Sequence, residues 1–231
     1  MPHGYAATPV GCPGVPPGRP GGRVRRYYPN VTRQLEQDTA AAGGPHFVRF
    51  GHFAYESGDH GDTWLSLELL FVDPQWLQRS AGLLAERLRR FSPDVVCGPL
   101  VGGALVAQPV AAALGARFVY AERQVSAGGP MYFVPPVARP TLAGRRVLIV
   151  DDVINAGSAT RACAKDIRDA GGELVAAASL ILRNGADLAL SERLGVAVEC
   201  LHSVRWNIWP PAECPLCQKR QPLDSPTGVE G

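Results

Sequence analysis

Apolar and polar positions alternate in two rhythms along this chain, and the change from one to the other marks its organisation. From His46 to Phe71 the pattern is short and β-like: FVRFGHFAYESG, a turn at Ser57 to Gly61, then TWLSLELLF with apolar residues at alternate positions. This predicts strands joined across a turn. Pro74 to Phe91 shifts to helical spacing, with Trp76, Leu77, Leu84 and Leu88 on one side and arginines on the other. Short unbroken apolar runs then recur at Asp94 to Gly98, Phe118 to Ala121, Val147 to Val150, Leu174 to Leu182 and Val196 to Leu201. Runs without alternation are the pattern of strands buried on both faces, as in a parallel sheet. Between them, Leu105 to Leu114 and Thr160 to Ala170 carry helical patterns, and Gly171-Gly172 caps the second. Strand and helix in alternation predict an α/β fold.

Composition sets the limits of this picture. At 231 residues and 46% hydrophobic content, one core plus tails is expected. Residues 1–44 are rich in Gly, Pro, Arg and Ala, with runs such as GCPGVPPGRPGG that cannot bury enough apolar area to offset ordering. Within them Val31 to Ala42 can form a short helix, stopped by Gly43-Gly44-Pro45, and Cys12 reads as an exposed thiol. A net charge of +2, with no basic block or aromatic-interleaved patch, argues against nucleic acid or a membrane surface as partner. Six cysteines are too sparse for a disulfide scaffold, and no leader pattern opens the chain, so a cytoplasmic location is expected. Val95 to Ala116 is uncharged and long enough to span a bilayer, but Gly98, Pro99, Gly102, Gly103, Gln108 and Pro109 interrupt it, and a strand, loop and helix explain it better.

Chemistry concentrates in Arg146 to Arg161, RVLIVDDVINAGSATR. A buried strand runs into two adjacent carboxylates, Asp151 and Asp152. Beyond Val153 and Ile154 come Asn155, Ala156, Gly157, Ser158 and Ala159, small residues opening a helix. Unsatisfied N–H groups and the positive end of the helix dipole suit such a loop to a phosphate. The acids before it can hold sugar hydroxyls or a hydrated magnesium ion. The loop lacks the Gly-Lys-Ser/Thr of a Walker sequence, and Gly157 stands alone, so it is not a dinucleotide fingerprint.

DDVINAGSATR resembles the phosphoribosyl-pyrophosphate (PRPP) loop of the type I phosphoribosyltransferases, and within that group looks most like orotate phosphoribosyltransferase. The resemblance runs from His46 to Cys217. It implies the type I phosphoribosyltransferase fold, a parallel sheet flanked by helices under a small β hood, here residues 45–72, with a core over 73–203 and an irregular C-terminal tail over 204–231. GHFAYESG and the aromatic strand after it are similar to that hood, and the family's base-contacting pair falls on Trp64 and Leu65, which read equally well as core. Where the family places a basic residue before the Ser-Gly turn, this chain has Glu56. Leu100, Val101, Gly102 and Gly103 match the loop that holds pyrophosphate, with a plain packing turn as the alternative; Gly102 stands where the family has a basic side chain.

The same resemblance places a mobile catalytic loop after Ala121, and here the segment through Pro140 reads as long and irregular, without Lys or His. Arg123 is the heir to its basic residue, with Arg139 a distant second. Lys165, Asp166, Arg168 and Asp169 read as charge on the outer face of the following helix. Arg183 falls on the arginine that pairs with the orotate carboxylate, a role suited to a planar guanidinium, although a basic strand end can also be incidental. In the tail, Cys214 and Cys217 form a C-x-x-C and Cys200-x-His202 lies upstream. Four such ligands can hold a structural zinc; unliganded or redox-responsive thiols are the other reading. Cys97 and Cys163 read as buried small hydrophobes.

The reaction implied is transfer of phosphoribose from PRPP to a base, orotate first, with Mg2+ and release of pyrophosphate. Asp151, Asp152 and Arg123 carry the catalytic roles, Asn155 and Arg183 meet the base, and a homodimer is expected. Another base acceptor, favoured by Asn155 and Glu56, and a non-catalytic PRPP-binding regulator are the rival readings.

Overall fold

The computed structural model describes residues 47–55, 57–126, 129–183, 186–204 and 206–225. The expectations for the N-terminal tail, its short helix, Cys12 and Glu56 fall outside these residues. The elements are β1 (Val48–Ala54), β2 (His60–Leu65), α1 (Pro74–Leu88), β3 (Val95–Pro99), α2 (Gly102–Leu114), β4 (Arg117–Ser126), β5 (Gly129–Phe133), β6 (Arg146–Ile154), α3 (Ser158–Asp169), β7 (Glu173–Arg183), α4 (Ala186–Leu194), β8 (Ala197–Val204), β9 (Ile208–Trp209) and α5 (Pro215–Gln218).

Six strands make the main sheet in the order β5-β4-β3-β6-β7-β8. Neighbours from β4 to β8 are parallel, and β5 closes one edge antiparallel to β4. The unbroken apolar runs have the reason the pattern implied, since successive residues feed opposite cores. In β6, Leu148 and Val150 pack with Leu84, Val106 and Val110 of α1 and α2, whereas Val147 and Ile149 pack with Cys163 and Ile167 of α3 and with Leu190 and Leu194 of α4. Cys97 and Cys163 are fully buried, and burial pushes the Cys97 thiol up to about 12. Helix α1 starts where Asp73 accepts from the backbone N–H groups of Gln75 and Trp76, with Pro74 at its first position. No helix among the described residues is long and apolar enough to cross a membrane.

Three features depart from the sequence reading. The second hood strand ends at Leu65, and Leu67–Phe71 is a 3-10 helix whose Leu70 is buried against the core. The segment after Ala121 is a β-hairpin, β4 to β5, in which Glu122 faces Phe133 and Arg123 faces Tyr132. Its Gly and Pro residues read as loop signals, but β5 is an edge strand, where a proline lacking an N–H is tolerated. The stretch between Arg183 and Val196 contains α4, for which the sequence reading had no element.

The hood is a separate sheet, β1-β2-β9, whose third strand comes from the C-terminal tail. The tail is therefore not simply irregular. Asn207 donates through its backbone N (3.0 Å) and Nδ2 (2.6 Å) to the buried Asp62 carboxylate on β2. Farther on, the Asp224 N–H donates to the His52 carbonyl at 2.6 Å, and the His52 N–H donates back to Asp224 Oδ2 at 2.7 Å.

Candidate active site

The sheet order reverses between β3 and β6. From β3 the chain crosses to β4 on one side, and later returns to place β6 on the other. In an open parallel sheet, the loops leaving two such strands diverge to opposite faces and open a crevice at their carboxyl ends. Helix α2, after β3, packs with the first core and α3, after β6, with the second. A cavity of about 290 Å³ lies there, lined by Pro99, Leu100, Val101, Gly102, Gly103, Tyr132, Asp151, Asp152, Val153 and Ala159.

Two loops far apart in sequence meet at the carboxylates. A Cβ on Gly102 would stand 2.0 Å from Asp152 Oδ2, and one on Gly103 would stand 2.6 Å from Asp151 Oδ1. Only a residue without a side chain lets the loop backbone come this close, which is why glycine occupies the place of a basic side chain. The Leu100–Val101 peptide in this loop is cis. Asp151 Oδ1 accepts from the Asp152 N–H at 3.0 Å, and Asp152 Oδ1 accepts from the Val153 N–H at 2.8 Å.

Both carboxyls are held above the ordinary carboxylate range. Burial is the main cause for each, and at Asp151 the charge of Asp152 adds to it. A ligand that brings hydroxyls or a cation relieves this cost. Oxygen donors side by side suit a hard divalent cation such as Mg2+, so the residues present fit the metal that the sequence suggested.

After the acids, Ile154 turns into the core, Asn155 and Ala156 are exposed, and Gly157 adopts φ 70° before α3 begins at Ser158. Leu190 of α4 covers Gly157, where a Cβ would meet it at 2.7 Å. Arg161 donates to the Ala156 carbonyl at 2.7 Å, which braces the loop from its own helix.

The other expected residues are distributed unevenly. Arg123 is exposed on β4, opposite Tyr132, and does not line the cavity. Sequence reasoning missed Tyr132, since it lies in a stretch read as irregular; burial raises its pKa, and the Arg123 charge partly offsets that. Arg139 forms an ion pair with Asp166 of α3, whose carboxylate also accepts from the Val134 N–H at 2.8 Å. Asp166 is thus not a solvated outer-face charge but the anchor of the hairpin's return.

Arg183 ends β7, and its Nε is buried without a hydrogen-bond partner among the described residues. Its charge reaches Tyr55 of the hood, which stacks on Trp64 with ring centroids 6.2 Å apart. Leu65 packs against the main core. Of the two expected base contacts, Trp64 thus belongs to an aromatic group connected to Arg183, while Leu65 is at least in part scaffold.

The cysteine set needs correction. Cys200 and His202 stand on β8, where their backbones pair with Ser179 and Ile181 of β7. Cys214 and Cys217 converge instead with His52 and His60 of the hood, with one ligand atom from each of the four within 4.8 Å of all the others. The C-x-x-C was visible in the sequence, but nothing local joins it to two histidines some 150 positions earlier.

Comparison with known proteins agrees with this geometry. A family model described as the phosphoribosyl transferase domain matches residues 69–213. Orotate phosphoribosyltransferase of Caldanaerobacter subterraneus is 31% identical over 181 residues, covering 78% of this chain and 90% of its own. The Heliobacterium modesticaldum protein of the same name is 34% identical over 179 residues, covering 76% and 88%. Among solved structures, orotate phosphoribosyltransferase from Aeropyrum pernix superposes with a TM-score of 0.57 at 24% identity, covering 72% of this chain and 93% of that one. The Mycobacterium tuberculosis enzyme solved with Fe(III) dicitrate gives 0.56 at 20% identity, covering 75% and 96%. These two show the fold. With the family match over most of the core, a relative 34% identical across three quarters of the chain, and a carboxylate pair at the switch point of the sheet, this chain belongs to the phosphoribosyltransferase family and is an enzyme of that class.

Proposed function

We propose that this enzyme transfers the phosphoribosyl group of PRPP to orotate, giving orotidine 5′-phosphate and pyrophosphate in pyrimidine nucleotide synthesis. The observation that carries the reading is the cavity in which Asp151 and Asp152 face the backbone of Leu100 to Gly103. The C1–oxygen bond to pyrophosphate breaks as a base nitrogen, losing its proton, attacks C1 with inversion. Such a displacement passes through an oxocarbenium-like state that needs positioning and charge, not a covalent nucleophile.

In this reading Asp151 and Asp152 bind the ribose hydroxyls and balance the positive ring. Backbone N–H groups of Asn155 to Ala159 hold the 5′-phosphate at the start of α3, and Leu100 to Gly103 hold the leaving pyrophosphate. Mg2+ held by the carboxylate pair and the substrate would neutralise pyrophosphate charge. Arg123, exposed opposite Tyr132 on the hairpin and outside the cavity lining, is the cation assigned to approach the leaving group once substrate is bound. The buried Nε of Arg183, without a hydrogen-bond partner among the described residues, and its reach to the Tyr55–Trp64 pair support a carboxylated base over a neutral one. The names of the relatives at 31–34% identity support the same acceptor.

We further propose a cytoplasmic homodimer; exposed Tyr120, Met131 and Val137 along the β4–β5 edge and the turn after it are the apolar surface a second copy would cover. Sedimentation equilibrium tests the dimer, and a monomer at micromolar concentration would remove it.

The deciding measurement for the activity is pyrophosphate release from PRPP with a panel of orotate, uracil, adenine and hypoxanthine. Orotate-dependent release is expected. Release with a neutral base and none with orotate would replace the acceptor while keeping the enzyme class, and PRPP binding with no release under any base would leave a regulator.

A further inference from the structure

We propose that His52, His60, Cys214 and Cys217 form a tetrahedral zinc site that fastens the C-terminal tail to the hood. It is distinct from the carboxylate cavity, and its ligands come from both strands of a hairpin and from a C-x-x-C turn. His52 Nε2 lies 3.1 Å from His60 Nδ1, 3.5 Å from Cys214 Sγ and 3.6 Å from Cys217 Sγ; His60 Nδ1 lies 3.2 Å from Cys217 Sγ. With Zn–N of about 2.0–2.1 Å and Zn–S of about 2.3 Å, the edges of a tetrahedron are roughly 3.3 Å between nitrogens and 3.6 Å between nitrogen and sulfur. The four distances match those edges to within about 0.4 Å. His52, His60 and Cys214 are at most 1% exposed and Cys217 is half-buried, so the group is mostly closed to solvent in the manner of a structural site.

The surroundings orient the ligands. His52 Nδ1 stands 2.8 Å from the Gln221 carbonyl, an acceptor only, so Nδ1 carries the proton and the Nε2 lone pair points at the other three. The imidazoles meet edge to face, 68° between planes, which directs two nitrogens to one point instead of stacking the rings. On the other side, the N–H groups of Gln218 and Arg220 donate to the carbonyls of Cys214 and Cys217, at 3.1 and 2.8 Å, and fix the C-x-x-C turn. Two nitrogens and two sulfurs select a borderline-soft cation and exclude Mg2+ or Ca2+. Cys217 is disulfide-bonded in the structure. Its thiolate is available only after reduction, so the site is one of the reduced protein and oxidation competes with metal.

The test uses the full chain, purified without chelator under reducing conditions, with zinc itself as probe and metal content and competition with a chromophoric chelator as readouts. About one equivalent per chain is expected, with binding weakened at least a hundredfold by Cys214→Ser or His52→Ala and left unchanged by Cys200→Ser with His202→Ala. Cobalt(II) substitution of the unmutated chain should give intense visible d–d bands and a sulfur-to-metal charge-transfer band, both lost on oxidation of the thiols; this reading stands even where a ligand variant fails to fold. No bound zinc and no tetrahedral cobalt spectrum in the reduced wild-type chain would overturn the proposal, as would metal lost with Cys200 and His202 but retained without Cys214. None of these readouts depends on turnover, so they stand apart from the orotate assignment.

Discussion

Asp151 and Asp152 make a costly pair in the ligand-free protein, because burial favours the protonated form of each and the charge of Asp152 adds to this at Asp151. Asp151→Asn with Asp152→Asn should abolish pyrophosphate release while the fold persists, since the pair ends a strand whose apolar part is already packed. The sign of the pH effect follows from linkage. Both carboxyls have folded values above their unfolded ones, so between those values the folded state binds more protons, and its stability falls as pH rises through the window. Thermal melts of metal-free, PRPP-free protein should therefore show lower stability toward neutral pH, a slope that the double Asn variant lacks. Identical slopes in both proteins would contradict the raised values. At the other end of the site, Arg183→Ala removes the residue we propose as partner of the orotate carboxylate. Loss of one member of a buried charge pair typically costs ~2–5 kcal/mol, so orotate use should fall by roughly a hundredfold or more. Kinetics with a neutral base and the affinity for PRPP should change little. Equal losses with orotate and uracil would mean that Arg183 acts through the fold.

At the scale of elements, the hairpin β4–β5 brings one residue to the cavity, Tyr132, and presents Arg123 beside it. Its return to the core depends on Asp166, which binds both Arg139 and the Val134 N–H. Asp166→Ala should release this anchor. Loss of hydrogen bonds to a charged group at a partly buried site costs about 1.5–3 kcal/mol, much of it confined to the hairpin. Amide hydrogen exchange at Tyr132 to Val134 should accelerate by at least tenfold while β6 and β7 keep their protection, and KM for PRPP should rise. Uniform acceleration across the sheet would place Asp166 in the global core. This anchor was hidden in the sequence because Asp166 follows Lys165 on an amphipathic helix, and periodicity alone assigns both to the solvent side. Tyr132 was hidden for a related reason: strand pairing across Ser126 and Gly129 decides where it points, and the flanking Gly and Pro residues argue locally for a loop.

Across the whole molecule the hood is held from two ends of the chain. Strand β9 pairs with β2 through His60 opposite Trp209 and Gly61 opposite Ile208, and Asp62 ties Asn207 to the same strand. Asp62→Ala should cost about 1–3 kcal/mol through lost charge-assisted hydrogen bonds, or roughly 2–12 °C in melting temperature for a domain of this size. Differential scanning calorimetry measures it, and an unchanged transition would mean that the tail contributes nothing to hood stability.

What was determined by the sequence alone is what local chemistry encodes. Buried strands of apolar residues, the helices after β3 and β6, the carboxylate pair before a small-residue loop, and the glycine-bearing loop at Leu100 to Gly103 were all legible, because each depends on residues within a few positions of one another. The tertiary structure decided what depends on distant residues. It brought the β3 loop to the acids through the strand order, turned the stretch after Ala121 into a hairpin that carries Tyr132, and exchanged Cys200 and His202 for His52 and His60 beside the C-x-x-C. A ligand set drawn from a hood hairpin and a C-terminal turn has no sequence period to reveal it; only the fold that lays the tail across the hood makes those four side chains neighbours.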